Sequence, residues 1–226
     1  ELCEQDEVAH EVTLTRSFLI AETEVTQAQF EGAMGYAPSE FTECGQDCPV
    51  ESVSWHEAAA YSNALSVEAG LSECYVCSGD GVDVQCEVAL NPYTCEGFRL
   101  PTEAEWEDAA RCGEDLLFAG SNELSEVTWH DGNSGATTHT VAQKTPNACG
   151  LYDMSGNVFE WTQDWYADVS AESVTDPAGP RTGYARVNKG GGWGSVGGYE
   201  RISSRHKGGV DSHTSSFGFR VGRTVE

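Results

Sequence analysis

The chain has 226 residues, 39% of them hydrophobic, with six Trp and eight Tyr, so it can bury a core and is not disordered. Its net charge of −25 argues against a nucleic-acid partner, whose phosphates need a basic face, and suits cations such as Ca²⁺. It has no apolar run of the ~18 residues needed to span a bilayer, so membrane insertion is not expected.

In chain order, Val12 to Thr15 alternates apolar and polar residues and Phe18-Leu19-Ile20 continues the apolar theme, which reads as strand. Thr26-Gln27-Ala28-Gln29 has capping-box spacing and predicts a short helix from Gln27 to Met34. The same device recurs at Ser54 with Glu57, opening an alanine-rich helix ended by Gly70. It recurs again at Thr102 with Glu105, opening a helix stopped by Gly113. Beyond Gly113 periodicity dissolves into Gly, Ser, Asn and Asp, with strand signals only at Thr138–Val141 and Phe217–Val221. Ordered loops of that length need fastening by disulfides, metal ions or buried aromatics. Composition shows no break, so one domain over 1–226 is expected, with a Cys-rich insertion at 72–97.

Nine cysteines narrow the compartment. Cys74-x-x-Cys77 opens like a zinc knuckle, but Cys86 and Cys95 stand nine apart and form no second one. A disulfide-stapled insertion in an exported protein accounts for them better. The four allow three connectivities, of which nested Cys74–Cys95 and Cys77–Cys86 is preferred. Cys44 and Cys48 are expected to pair, Cys112 and Cys149 are also assigned to disulfides, and Cys3 is the odd one. The expected location is secreted, cell-surface or periplasmic.

Three segments carry a family resemblance: Phe98-Arg99-Leu100-Pro101-Thr102-Glu103-Ala104-Glu105-Trp106-Glu107; Asn147 to Trp161; and Arg186-Val187 through Gly190-Gly191-Gly192-Trp193, closing on Gly218-Phe219-Arg220-Val221. Glu24-Val25-Thr26 and Pro49-Val50 through Trp55 add to the set. Together they resemble the formylglycine-generating enzyme, or sulfatase-modifying factor, family across nearly the whole chain. The resemblance implies an α+β, C-type-lectin-like fold with little regular secondary structure and Ca²⁺-stabilised loops. Members include a copper oxidase and non-catalytic binding proteins, so the site must decide the function.

By the same resemblance, one Ca²⁺ is expected at Asp153, Gly156, Val158 and Glu160, two side chains and two carbonyls supplying hard oxygens. Asn157 is expected to tie this loop. A second Ca²⁺ at Asn133, Ser134 and Lys144 is less well matched, because the family's carboxylate position there is Ala142. The family's oxidase holds Cu(I) between two cysteine thiolates, soft ligands for a soft ion. Their positions here are Ser195 and Glu200, and no cysteine follows Cys149, so no copper is expected.

Other chemistries find no support in the sequence. The six histidines form no zinc-protease pair, and His206 and His213 with Asp211 or Glu200 have no metal-site spacing. GGGWGSVGG lacks the lysine and context of a phosphate loop, and no G-x-S-x-G elbow occurs. The reading is therefore a binding module without catalytic residues, its recognition face comprising Trp193, Ser195, Tyr199, Glu200 and His206. The expected partner is a protein or small polar ligand. Relatives of this fold, the variable proteins of diversity-generating retroelements, vary the same segment. The alternatives are an oxidase with an altered metal site and a self-assembling structural subunit.

Overall fold

A computed structural model describes residues 7–196 and 198–225. Its three main helices start where the capping-box spacing puts them: α1 (Gln27–Met34), α2 (Trp55–Glu68) and α3 (Glu103–Arg111). In each, the N-cap hydroxyl accepts the third residue's N–H and that residue's side chain accepts the N-cap N–H. The pairs are Thr26 with Gln29, Ser54 with Glu57, and Thr102 with Glu105. Helix α3 stops one residue earlier than expected, because Cys112 itself takes the left-handed conformation at φ 47°. A single turn, α4 (Leu124–Val127), completes the helices.

Strand β1 (Val12–Thr13) runs parallel to β6 (Val174–Thr175), and β2 (Ser17–Ile20) pairs antiparallel with β10 (Gly222–Val225). The hairpin β3 (Tyr75–Ser78) and β4 (Gln85–Val88) forms the insertion. The largest sheet has four strands in the order β8 (His206–Gly208), β7 (Arg186–Lys189), β5 (Phe159–Trp165), β9 (Phe217–Gly218). No strand forms at Thr138–Val141, contrary to its alternation. There the His139 N–H goes to the Asn157 side chain and the Val141 N–H to the Asp47 carbonyl, so the backbone is satisfied without a ladder.

Aromatic residues build the core. Trp55, Trp106 and Trp161 are fully buried, and each indole N–H has an acceptor: the Thr162 carbonyl, Glu160 and the Val53 carbonyl. The Arg186 guanidinium lies between the rings of Trp55 and Trp165, at 3.9 and 3.7 Å from their centroids.

Four disulfides fasten the rest: Cys44–Cys48, Cys74–Cys95, Cys77–Cys86 and Cys112–Cys149. The nested pairing in the insertion is the one expected, whereas Cys3 lies outside the described residues. Four disulfides point to an oxidising environment. Among the described residues no helix is long and apolar enough to cross a membrane.

Candidate functional site

The 153–160 turn is the junction of the fold. Asp153, Gly156 and Asn157 all have positive φ, at 55°, 90° and 61°. A Cβ on Gly156 would lie 2.4 Å from Thr128 Cγ2 and 2.5 Å from the Trp129 carbonyl oxygen, so only glycine fits. Asn157 ties the loop: its Oδ1 accepts the His139 N–H at 2.9 Å, and its Nδ2 donates to Glu24 Oε2 at 2.7 Å. The Val158 N–H donates to Glu24 Oε1 and the Ala142 N–H to Asp153 Oδ2. Glu160 receives Arg220 Nη2 on Oε1 and Arg220 Nε on Oε2, each at 2.7 Å, with Trp106 Nε1 also on Oε2.

Three buried carboxylates, Glu24, Asp153 and Glu160, thus face one guanidinium. Burial, and then repulsion from Asp153 and Glu160, pushes the Glu24 carboxyl well above its ordinary range. Burial pushes Asp153 up as well. This surplus of hard negative oxygen fits the chemistry of a divalent cation. Glu160 has one lone pair left on Oε1, so it could supply a cation with a single oxygen while keeping Arg220. Glu24 was not singled out as a site residue from the sequence, where it stood only within the Glu24-Val25-Thr26 match.

Residues of the second cation set are held by other contacts. The Asn133 Oδ1 accepts the His130 N–H, the Ser134 carbonyl faces His139 Nε2 at 2.7 Å, and Lys144 Nζ lies 4.1 Å above the Trp129 ring. Each is engaged by a different neighbour.

The glycine-rich segment follows β7. Gly190 and Gly191 have φ of 89° and 74°, and a Cβ on Gly191 would lie 2.9 Å from Glu200 Cγ. Trp193 is held by its backbone N–H on the Asn157 carbonyl, its indole N–H on the Ser215 carbonyl, and an edge contact with Phe41. Ser195 Oγ accepts the Gly192 N–H, closing a turn.

Ser195 is 5% exposed and Glu200 0%, so the sequence-based expectation that both present themselves to a ligand is corrected. Both shape the loop from beneath. What reaches solvent is Tyr199, 41% exposed, with Val196 beside it. His206 sits edge-on between Phe159 and Tyr199. Arg201 anchors this loop to the N-terminal segment through a bidentate pair with Glu7, both bonds 2.7 Å.

No thiol chemistry is available among the described residues, since all eight of their cysteines are in disulfides. Nor does any group of three or more His, Cys, Asp or Glu side chains there take a metal-binding arrangement.

The sulfatase-modifying factor enzyme 1-like domain model matches residues 2–225. The chain belongs to this family. Members similar to it include the chaperone protein LppX of Paenibacillus barcinonensis, 35% identical over 80% of this chain and 71% of that one. The formylglycine-generating enzyme of Thermomonospora curvata is 34% identical over 76% of this chain and 54% of its own length. The chain spans only 21% of a matching serine/threonine-protein kinase pkn1 from Chlamydia pneumoniae. Among solved structures, Treponema denticola variable protein 1 superposes with a TM-score of 0.86 at 35% identity, covering 96% of this chain and 87% of that one. CarF follows at 0.71 and 28% identity, covering 92% of this chain and 87% of that one. The family fold is α+β with few helices, here stapled by the disulfides.

Proposed function

We propose that this family member is an extracellular, calcium-stabilised binding module that catalyses no oxidation. One observation carries the reading: the described cysteines are all consumed in disulfides, and the positions matching the family's copper thiolates are Ser195 and Glu200. Hydroxyl and carboxylate oxygens are hard ligands and do not replace thiolates for Cu(I). Recognition falls to the exposed part of the glycine-rich loop, where Tyr199 and Val196 reach solvent and Trp193 is anchored. An aromatic residue with a polar tip, on a loop fixed from below, suits a protein or small polar ligand. The likeness to a protein named a variable protein, and to another named a chaperone protein, supports a binding role. The Ca²⁺ would be held by Asp153, one oxygen of Glu160, and the carbonyls of Gly156 and Val158, stabilising the loop on which Trp193 rests.

The test is a Cu(I) titration against a colorimetric chelator, with oxygen uptake measured on a cysteine-containing peptide. Neither stoichiometric Cu(I) binding nor oxygen consumption is expected. Either one sinks the binding-module reading and restores the oxidase.

A further inference from the structure

A cavity of about 1590 Å³ opens on another face, between α3, strand β2 and the loop after β5, with the segment from Glu7 to Arg16 along its rim. That volume exceeds the roughly 300–1,000 Å³ of pockets for single small molecules. Three features of its walls describe what fits there.

The first is backbone. All four residues of β2 line the cavity, and among the described residues β2 pairs with β10 alone. Its other edge therefore carries N–H and C=O groups that no described strand pairs with, a template for another strand. The second is an apolar floor. Phe18 and Ile20 pack onto the cluster formed by Trp106, Leu151 and their neighbours, and Leu14 and Trp165 extend the floor.

The third is charge. Arg111 is engaged by Glu107, and Arg205 by Glu103. Asp108, Asp164 and Asp168 on the same wall form no ion pair among the described residues, against which stands Arg16 at the rim. Asp164 itself is buried, and burial, then the nearby Glu103, pushes its carboxyl up to about 8, so the charge this wall offers at neutral pH comes from the exposed Asp108 and Asp168.

We propose that this groove takes an extended segment of a partner protein, added as a strand to the free edge of β2. Its apolar side chains rest on Phe18 and Ile20, and its lysine or arginine side chains reach the exposed Asp108 and Asp168. A second copy is disfavoured by the net charge of −25.

The experiment titrates the whole chain with three synthetic hexapeptides: acetyl-(Val-Lys)3-amide, acetyl-(Val-Glu)3-amide, and the lysine peptide N-methylated at alternate backbone positions. The lysine peptide binds saturably with one-to-one stoichiometry, and the glutamate peptide does not bind. N-methylation, which removes the donors needed for strand pairing, weakens binding at least about tenfold. Asp108→Asn with Asp168→Asn, both exposed positions that leave the core intact, weakens it by about tenfold as well, whereas Asp80→Asn on the insertion leaves it unchanged. Absence of saturable binding overturns the proposal. So does equal affinity for the N-methylated peptide, which places the ligand without strand pairing. An unchanged affinity in the Asp108/Asp168 variant overturns it too, because the peptide then sits elsewhere on the acidic surface.

Discussion

Arg220 and Glu160 form a bidentate ion pair, 2.7 Å at each contact, with both side chains at 0% exposure. It joins the C-terminal Gly218-Phe219-Arg220-Val221 segment to the first strand of the main sheet, and Trp106 of α3 adds its indole N–H to the same carboxylate. Glu160→Gln removes the only carboxylate hydrogen-bonded to the guanidinium among the described residues and leaves it to Glu24 and Asp153, which do not contact it directly, at a cost of about 3 kcal/mol. Urea unfolding followed by tryptophan fluorescence measures it. A loss below about 1 kcal/mol, the scale of an exposed pair, shows that the pair is solvated in solution.

The surplus carboxylates around this pair set the calcium prediction. Excess Ca²⁺ at about 100 times its Kd raises stability by about 2.7 kcal/mol, and a chelator removes that gain. Asp153→Asn abolishes the response. If the melting temperature is the same with chelator and with Ca²⁺, the ligand assignment at Asp153 and Glu160 is wrong.

Gly156 and Gly150 both have positive φ, 90° and 79°, but only Gly156 faces a wall. Gly150→Ala costs about 1 kcal/mol for the backbone alone. Gly156→Ala must also displace Thr128 and Trp129, and overpacking adds about 1–3 kcal/mol. Equal unfolding midpoints for the two variants rule out the close approach.

Asp164 gives the protein a pH slope. Its folded pKa of about 8 lies above the ~3.9 of an unfolded aspartate, so between those values the native state holds the extra proton. The stability this group contributes is complete below about pH 4 and is lost as pH rises through about 8, at no more than about 1.4 kcal/mol per unit. Asp164→Asn keeps an acceptor for the Glu103 N–H and removes that slope. Parallel stability profiles for wild type and variant between about pH 5 and about pH 8 contradict the assignment.

Cys112–Cys149 closes 37 residues and Cys44–Cys48 only 4. Chain entropy then assigns about 4 kcal/mol to the first and about 2 kcal/mol to the second. Cys112→Ser with Cys149→Ser should lower the urea midpoint about twice as far as the Cys44/Cys48 double variant. The reverse order means native-state contacts outweigh loop closure.

Much of the fold was legible from the sequence. Capping boxes at Thr26, Ser54 and Thr102 are local, four-residue devices, so spacing alone located all three helices. Cysteine spacing within the insertion likewise excluded a second zinc knuckle but left three connectivities, of which the structure has the nested one. Thr138–Val141 misled because alternation reports a half-buried extended backbone, whereas here distant side chains such as Asn157 satisfy that backbone instead.

The sequence by itself determined the family, the helix starts and the absence of thiolates at Ser195 and Glu200, because each is written in residue identity or short-range spacing. Only the tertiary structure decided which way those residues face. Residues 133, 45 and 102 positions apart meet at Glu24–Asn157, at Ser155–Glu200 and at Glu103–Arg205 beside the groove under β2, and no local signal encodes such meetings. Burial turned Ser195 and Glu200 from expected ligand contacts into supports for the loop. Among the described residues the same packing leaves one edge of β2 without a strand partner beside Asp108 and Asp168, an arrangement that exists only once distant segments close around it.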